Sequence, residues 1–456
     1  MARSPLETLK GFTRNGLSLA GIAIATAMAV LFVILAALET AGFLANPYLG
    51  LLLFAAIPLL LVAGLALIPL GLVRQRRRER LRPDEPTDWP VLDFRNARQR
   101  TIALAVLVLT AVNLIIVSLA AYGGVHYMET SEFCGQVCHA TMEPQFVAHQ
   151  GGPHARIACV NCHVGEGADA LVQSKLQGLR QLMHVATGRV PRPVPSSPHR
   201  MRPARETCER CHWPDKFHGD RPVVARSFAS DEGNTESATR LTLHLGGTNP
   251  ELGIAAGIHG RAHVAGRVEF VATDTERQQI PYVRYTDPAG VVTEFVARGT
   301  DRASFAAQPA HRMDCLDCHD RPAHAFSVSA DRAVDAAIAE GRLPRDVPFL
   351  RREVIAAVGG TYATREAARA GIAARLQAAY AARGLAPDRI RQVVGGAQDV
   401  YVRNVFPAMR VTFGTYGNNL GHMDSPGCFR CHDDEHVAAD GRTIGQDCES
   451  CHTAPE

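Results

Sequence analysis

Charge of one sign is what this sequence has least of. Lys and Arg number 48 against 45 Asp and Glu, a formal charge of +3 over 456 residues. So balanced a chain does not point to nucleic acid as a partner. Lysine is scarce, with Lys10, Lys175 and Lys216 standing beside 45 arginines. Few positions can therefore supply an amine that gives up its proton. Aromatic residues make up only 6%. No G-x-G-x-x-G is present, which removes the dinucleotide fingerprint. No cysteine stands alone: all 12 fall in closely spaced pairs, so a disulfide framework is not the natural reading. With 46% hydrophobic residues the chain is too apolar to be disordered, and its length calls for more than one domain.

The apolar residues are concentrated before about residue 126, in three uncharged runs. A spanning helix needs roughly 20 apolar residues, and the runs predict spans at about 15–38, 48–73 and 101–124. Pro58 and Pro69 lie in the second run and are expected to kink it. Basic clusters precede span one (Arg3, Lys10, Arg14), follow span two (Arg74, Arg76, Arg77, Arg78, Arg80, Arg82) and precede span three (Arg95, Arg98, Arg100). The positive-inside rule puts all three in the cytoplasm and everything after residue 126 outside it, in the bacterial periplasm. Alternatively, span one is a signal peptide cleaved near Ala41 or Ala45, which leaves the exported side unchanged.

The exported part repeats one short unit. Cys159-Val-Asn-Cys162-His163, Cys208-Glu-Arg-Cys211-His212, Cys315-Leu-Asp-Cys318-His319, Cys428-Phe-Arg-Cys431-His432 and Cys448-Glu-Ser-Cys451-His452 are each C-x-x-C-H. Cys134-Gly-Gln-Val-Cys138-His139 has one residue more between its cysteines. We number these units 1 to 6 in chain order, starting from Cys134. C-x-x-C-H is the attachment signature of c-type haem. Two thiols bond the haem vinyl groups, and the adjacent histidine becomes the proximal iron ligand. The predicted cofactor is therefore six covalently bound haem c, with His139, His163, His212, His319, His432 and His452 on the irons. Paired zinc knuckles would need four ligands each and no trailing histidine. Two-residue disulfide loops would be strained and redox-active. Porphyrin faces are expected to supply much of the core, in keeping with the low aromatic content, and so many redox centres behind a membrane anchor make an electron carrier.

The expected fold is a membrane-anchored multihaem cytochrome c: three N-terminal transmembrane helices, then a loop-rich, mainly α periplasmic haem module with a small β insertion. Residues 1–126 form the anchor and 127–225 carry haems 1 to 3. There, Leu171, Val172, Leu176, Leu179, Leu182 and Met183 form a helical stripe between Ala168 and Thr187, expected to be core. Residues 226–306 are the β insertion, with alternation at Val268–Thr273, Tyr282–Tyr285 and Val291–Val296 and a turn at Asp287-Pro288-Ala289-Gly290. Residues 307–456 carry haems 4 to 6. Ala333–Arg391 within them predicts two or three surface helices broken at Gly359-Gly360 and Gly384.

On these motifs the chain resembles the NapC/NirT-type membrane cytochromes, and more narrowly the three-span inner-membrane multihaem cytochromes of metal-reducing bacteria. The stretches that carry the likeness are Glu132 to Met142, Pro153 to Arg156, Ser174 to Leu176, Arg202 to Phe217, Arg312 to His324 and Gly421 to His436. The resemblance implies a first haem near the membrane that accepts electrons from menaquinol, with the others relaying them to periplasmic cytochromes or reductases. It implies distal ligands at His154, His259 or His263, His324, His422 and His436. Since His324 and His436 follow proximal histidines by five and four residues, each is expected to ligate a neighbouring haem. His149, His184, His199, His218, His244 and His311 have no clear counterpart. The family's first site usually reads C-x-x-C-H-x-M; here Met142 stands three positions after His139, so it is a candidate ligand of haem 1.

Quinol oxidation releases protons and needs a base beside haem 1. Lys175 lies in a stretch similar to the family's quinol-site lysine segment, and Asp169, Glu166, Glu129 and Glu132 are proton acceptors nearby in sequence. The leading expectation is an inner-membrane quinol dehydrogenase drawing on the quinone pool, with extracellular or metal acceptors among the destinations. The competing readings are a nitrite- or hydroxylamine-type haem reductase and an electron-transfer subunit of a larger respiratory complex. No nucleic-acid partner is expected.

Overall fold

The computed structural model describes residues 16–40, 56–80, 95–137, 139–165, 167–195, 203–216, 219–249, 254–305 and 307–454. It divides into two compact units, Met1–Val137 and Cys138–Glu456.

In the first unit each uncharged run yields a helix: α1 (Gly16–Thr40), α2 (Ile57–Arg80) and α3 (Ala97–Met128). Among the described residues, 57–75 form one stretch long and apolar enough to cross a membrane, and 16–32 a shorter apolar one. Positions 48–55 of the second predicted span lie outside the described residues. Pro58 falls at the second position of α2, where its missing N–H costs nothing, and Pro69 lies inside the helix. Glycines let α1 and α2 touch. A Cβ on Gly21 would stand 2.7 Å from the Gly64 carbonyl oxygen, and one on Gly64 2.8 Å from the Ala25 nitrogen. Small residues at such a crossing let the backbones approach closely, as membrane helix pairs do. Ser18 Oγ adds a hydrogen bond to the Ile68 carbonyl at 3.0 Å.

The second unit opens with α4 (His139–Gln150), α5 (Cys159–His163), α6 (Ala168–Ala186) and α7 (Ala204–Cys208). A hairpin of β1 (Arg221–Phe228) and β2 (Glu236–Leu243) follows, then the short pair β3 (Gly247–Asn249) and β4 (Ile254–Ala256). The predicted alternation produces β5 (Arg267–Val271), β6 (Tyr282–Thr286) and β7 (Val292–Ala297). Asp287 closes the turn between the last two, with its Oδ1 accepting from the Val291 amide at 2.8 Å. Phe270, Val283 and Phe295 bury one face of this sheet.

The β region is larger than expected and is not a separate insertion. Its five-stranded sheet runs β8-β5-β6-β7-β9, where β8 is His311–Arg312 and β9 is His436–Ala438. A further strand, β10 (His452–Thr453), pairs with β2, setting His452 opposite Leu243. The sheets thus receive strands that adjoin units 4 and 5 and one that begins at the histidine of unit 6.

The segment expected to be surface helices instead holds the largest cluster of buried apolar residues among those described. After α8 (Cys315–Cys318) come α9 (Ala330–Ala339), α10 (Leu350–Val358), α11 (Arg365–Ala381) and α12 (Pro387–Asn404). Gly359 caps α10 and Gly384 sits between α11 and α12. Ser329 and Thr364 cap the starts of α9 and α11 by accepting from backbone amides. Leu350, Ile372, Leu376, Tyr380 and Tyr401 are buried together, and each such side chain contributes about 1.5–3 kcal/mol. This part of the core is built from side chains packed on one another.

Candidate functional site

Each of units 2 to 6 contains or begins a tight helical turn. Unit 2 is α5 itself, unit 3 begins at the end of α7, and unit 4 is α8 followed by His319. Units 5 and 6 form 3₁₀ turns at Gly427–Arg430 and Cys448–Ser450. A helical turn brings residues i and i+3 to one side, so both thiols face the same edge. The His212, His319 and His432 amides each donate to the carbonyl of their unit's first cysteine, at 2.8, 2.8 and 3.0 Å. Asp314 and Asp317 cap α8 reciprocally. Unit 1 is described less fully: Cys134 lies in a π-helical turn, Phe133–Val137, while Cys138 and the side chain of His139 are outside the described residues. Met142 is half-buried on α4.

In each of units 2 to 6 a second histidine faces the attachment histidine. Ring centroids are 6.2 Å apart for His324 and His163, 6.0 Å for His154 and His212, and 6.1 Å for His259 and His319. They are 5.8 Å apart for His263 and His432 and 6.2 Å for His422 and His452. Metal–imidazole bonds of about 2 Å plus the half-width of each ring place two imidazoles on opposite sides of an iron at about 6 Å.

Hydrogen bonds set the tautomer. Nδ1 of His154 donates to the Pro322 carbonyl at 2.8 Å, that of His259 to Leu245 at 3.2 Å, that of His263 to Ile258 at 2.6 Å and that of His324 to Gln145 at 3.0 Å. A carbonyl only accepts, so the proton is on Nδ1 and the lone pair on Nε2, the arrangement found in metal-binding histidines. Burial holds His163, His259, His263 and His319 below their usual pKa and takes His324 down to about 4. The neutral ring, which is the ligating form, is therefore present at neutral pH.

Burial pushes the thiols of Cys318 and Cys431 up to about 12. A hydrogen bond between Cys208 and Cys315 raises the first thiol and lowers the second. Successive units are neighbours: Cys211 acts on Cys162, Cys315 on Cys208, Cys428 on Cys318, and Cys428 again on Cys451. Units 2, 3, 4, 5 and 6 therefore follow one another in space in chain order.

Several expected residues lie elsewhere. His436 is 1% exposed; its Nε2 meets the Ile280 carbonyl at 2.7 Å and its Nδ1 meets Asp433 at 2.9 Å. Both of its nitrogens are engaged at the β9 edge and, unlike the other expected distal histidines, its ring does not face an attachment histidine among the described residues. His259 and His263, read as alternatives for one position, face two different units. The α6 stripe is not core: Val172, Leu176, Leu179 and Met183 are 57–63% exposed. Lys175 is half-buried on the same helix. The side chain of Asp169 and the whole of Glu166 lie outside the described residues. His149, which the sequence did not single out, is buried, with Nδ1 unpaired and its ring 6.2 Å from that of His324.

The donor set fits haem rather than zinc. Among the described residues no three His, Cys, Asp or Glu side chains converge as a metal cage. Pairs of imidazoles with two thiols alongside suit an iron whose other four ligands come from a porphyrin. The comparisons agree. The family pattern described as NapC/NirT cytochrome c family, N-terminal region, matches residues 96–217. The chain is 37% identical to the cytochrome c-type protein ImcH of Geobacter sulfurreducens over 455 residues, 98% of this chain and 89% of that one. It belongs to the NapC/NirT cytochrome c family. As a member it is a membrane-anchored multihaem c-type cytochrome with covalently bound haem, and its chemistry is electron transfer. It is also 26% identical over 160 residues to the cytochrome c-type protein TorY of Haemophilus influenzae, 30% of this chain and 43% of that protein. No solved structure matches this NapC/NirT cytochrome.

Proposed function

We propose that this cytochrome is a hexahaem quinol dehydrogenase of the bacterial inner membrane. It takes electrons from menaquinol and relays them to periplasmic cytochromes or reductases, with extracellular or metal acceptors beyond. The observation that carries this reading is the succession of five facing histidine pairs on attachment units that neighbour one another in chain order. Bound haem supplies the one-electron steps.

The protein's part is to hold and space the groups. Cys159 and Cys162, Cys208 and Cys211, Cys315 and Cys318, Cys428 and Cys431, and Cys448 and Cys451 carry haems 2 to 6. His324, His154, His259, His263 and His422 are their distal ligands in that order. Cys134, Cys138 and His139 carry haem 1, with Met142 the candidate on its other side. The three uncharged runs are read as three spans, and the basic clusters before span one and between spans two and three favour a cytoplasmic N-terminus and a periplasmic haem module.

Quinol enters beside α6. Its exposed Val172, Leu176, Leu179 and Met183 suit the boundary between headgroups and acyl chains. Lys175, on the same helix, orients the quinol hydroxyl and takes part in proton release with Asp169. All six units keep their histidine, which favours a relay over a reductase with a modified catalytic site.

The test is anaerobic mixing of the full-length protein with a menaquinol analogue while haem reduction is followed, with Lys175→Ala beside it. Rapid reduction of several haems, slowed in the variant, supports the reading. Haems that stay oxidised in the wild type contradict it and point to a chain fed by another protein.

A further inference from the structure

Arg430 is one of the two variable residues in unit 5, yet its side chain is buried at 9% exposure. The guanidinium donates from Nε to the Gly427 carbonyl at 2.8 Å, from Nη1 to Arg277 at 2.9 Å and from Nη2 to Asp317 at 2.6 Å. All three acceptors are backbone oxygens, and among the described residues no carboxylate pairs with this cation. Its neighbour Arg277 is neutralised: it is bonded to the carboxylate of Asp317, which also accepts from the Asp314 amide at 2.8 Å, with His311 Nε2 beside both, 2.7 Å from Arg277 Nη1 and 3.1 Å from Asp317. The two charges of the Arg277–Asp317 pair cancel, whereas Arg430 has no bonded carboxylate among the described residues and meets only the longer-range influence of Asp320.

The position of this charge matters. Asp317 belongs to unit 4 and Arg430 to unit 5, and the Arg430 charge is felt at the thiols of both Cys318 and Cys431. Carbonyl dipoles satisfy its hydrogens but do not cancel its charge; the Asp320 carboxyl feels that charge, but burial pushes this acid up, toward its neutral form, so Arg430 is only partly compensated, and a buried charge without a full partner is costly. An arriving electron is the compensation. Reducing a haem adds one negative charge, and in a poorly screened interior a fixed cation favours that state strongly. Arginine suits the role because it stays charged at any pH the protein meets.

We propose that Arg430 is a fixed cation that raises the reduction potentials of haems 4 and 5, so that electrons rest on this pair midway along the relay. Nearby charge and burial are among the means by which a protein sets haem potential. The inference rests on the haem reading above, and Arg430 acts as a positioning residue through its charge rather than as a ligand.

The test is a spectroelectrochemical titration of the full-length holoprotein, after intact mass has counted its haems. Arg430→Gln is expected to lower two of the potentials and leave the others in place. Arg430→Lys keeps the charge but not the three-carbonyl geometry and is expected to restore most of the shift. Asp317→Asn, which uncovers Arg277, is expected to move the same two potentials upward. The proposal is overturned if Arg430→Gln leaves every potential unchanged, or if Arg430→Lys falls as far as Arg430→Gln, since hydrogen bonding alone would then be the role. If Arg430→Gln does not assemble, the Asp317→Asn titration decides, and unchanged potentials there overturn the proposal. A wild-type mass lacking haems at units 4 and 5 overturns the haem reading, and this inference with it.

Discussion

His259 and His263 lie four residues apart, yet their rings face two different attachment histidines, His319 at 6.1 Å and His432 at 5.8 Å. His263 itself lies in the π-helical turn Arg261–Ala265, which leads into β5. One short stretch at the edge of the five-stranded sheet thus serves units 4 and 5 together. The β region is in this sense the frame against which the later haems are seated.

Replacing either histidine should therefore have separate effects. His259→Ala is expected to convert one low-spin haem to high spin and His263→Ala a different one, with all haems still attached because the thioethers are untouched. Electron paramagnetic resonance of each variant and of the double variant checks this. Loss of the same signal in both single variants would show that the two rings share a site.

His436 should behave differently. Its ring bridges Asp433 and the Ile280 carbonyl, so His436→Ala removes the ring's bond to the Ile280 carbonyl and empties a buried site, at a cost of about 1–3 kcal/mol. Denaturation midpoint should fall while the low-spin haem signal stays intact. A new high-spin haem in this variant would restore His436 as a ligand.

Gly427 is held at φ +50°, and a Cβ there would lie 1.7 Å from the Gly421 carbonyl oxygen, which accepts from the Cys428 amide at 2.9 Å. Gly427→Ala must displace the start of unit 5. The expected outcome is a protein fraction one haem lighter by intact mass, with unit 5 the unit left empty in haem-peptide mapping. Full occupancy would mean that the loop yields without moving the thiols.

The bundle of α9 to α12 should be separable from the redox chain. Leu376 is fully buried among side chains alone, so Leu376→Ala should cost about 2–5 kcal/mol. Heat or denaturant should then unfold the variant sooner, with its haem content and potentials unchanged. Shifted potentials would show that the bundle sets haem geometry.

The attachment units were legible in the amino-acid order because their chemistry is local: two thiols and an imidazole must sit on one helical turn, and that turn is short. The helix breaks at Gly359 and Gly384 and the hairpin turn at Asp287 were legible for the same reason. The partners of those imidazoles are set by the tertiary fold. Nothing near His436 in sequence distinguishes it from His324, since each follows an attachment histidine closely. Only the carbonyl of Ile280, from a distant segment, occupies the nitrogen that a metal would need. The stripe on α6 had the right period for a core helix, but periodicity reports an apolar face and not what covers it. Arg430 was hidden because the two middle positions of C-x-x-C-H are free in the motif, and its burial depends on carbonyls contributed by Arg277 and Asp317.

The five facing histidine pairs carry the haem assignment most directly. Near-infrared magnetic circular dichroism of the oxidised full-length protein, quantified per haem, reads the axial ligands without reference to any electron donor. Five bis-histidine haems and a sixth of different or distinguishable ligation are the predicted result. Fewer than five bis-histidine haems in a fully loaded protein would contradict it.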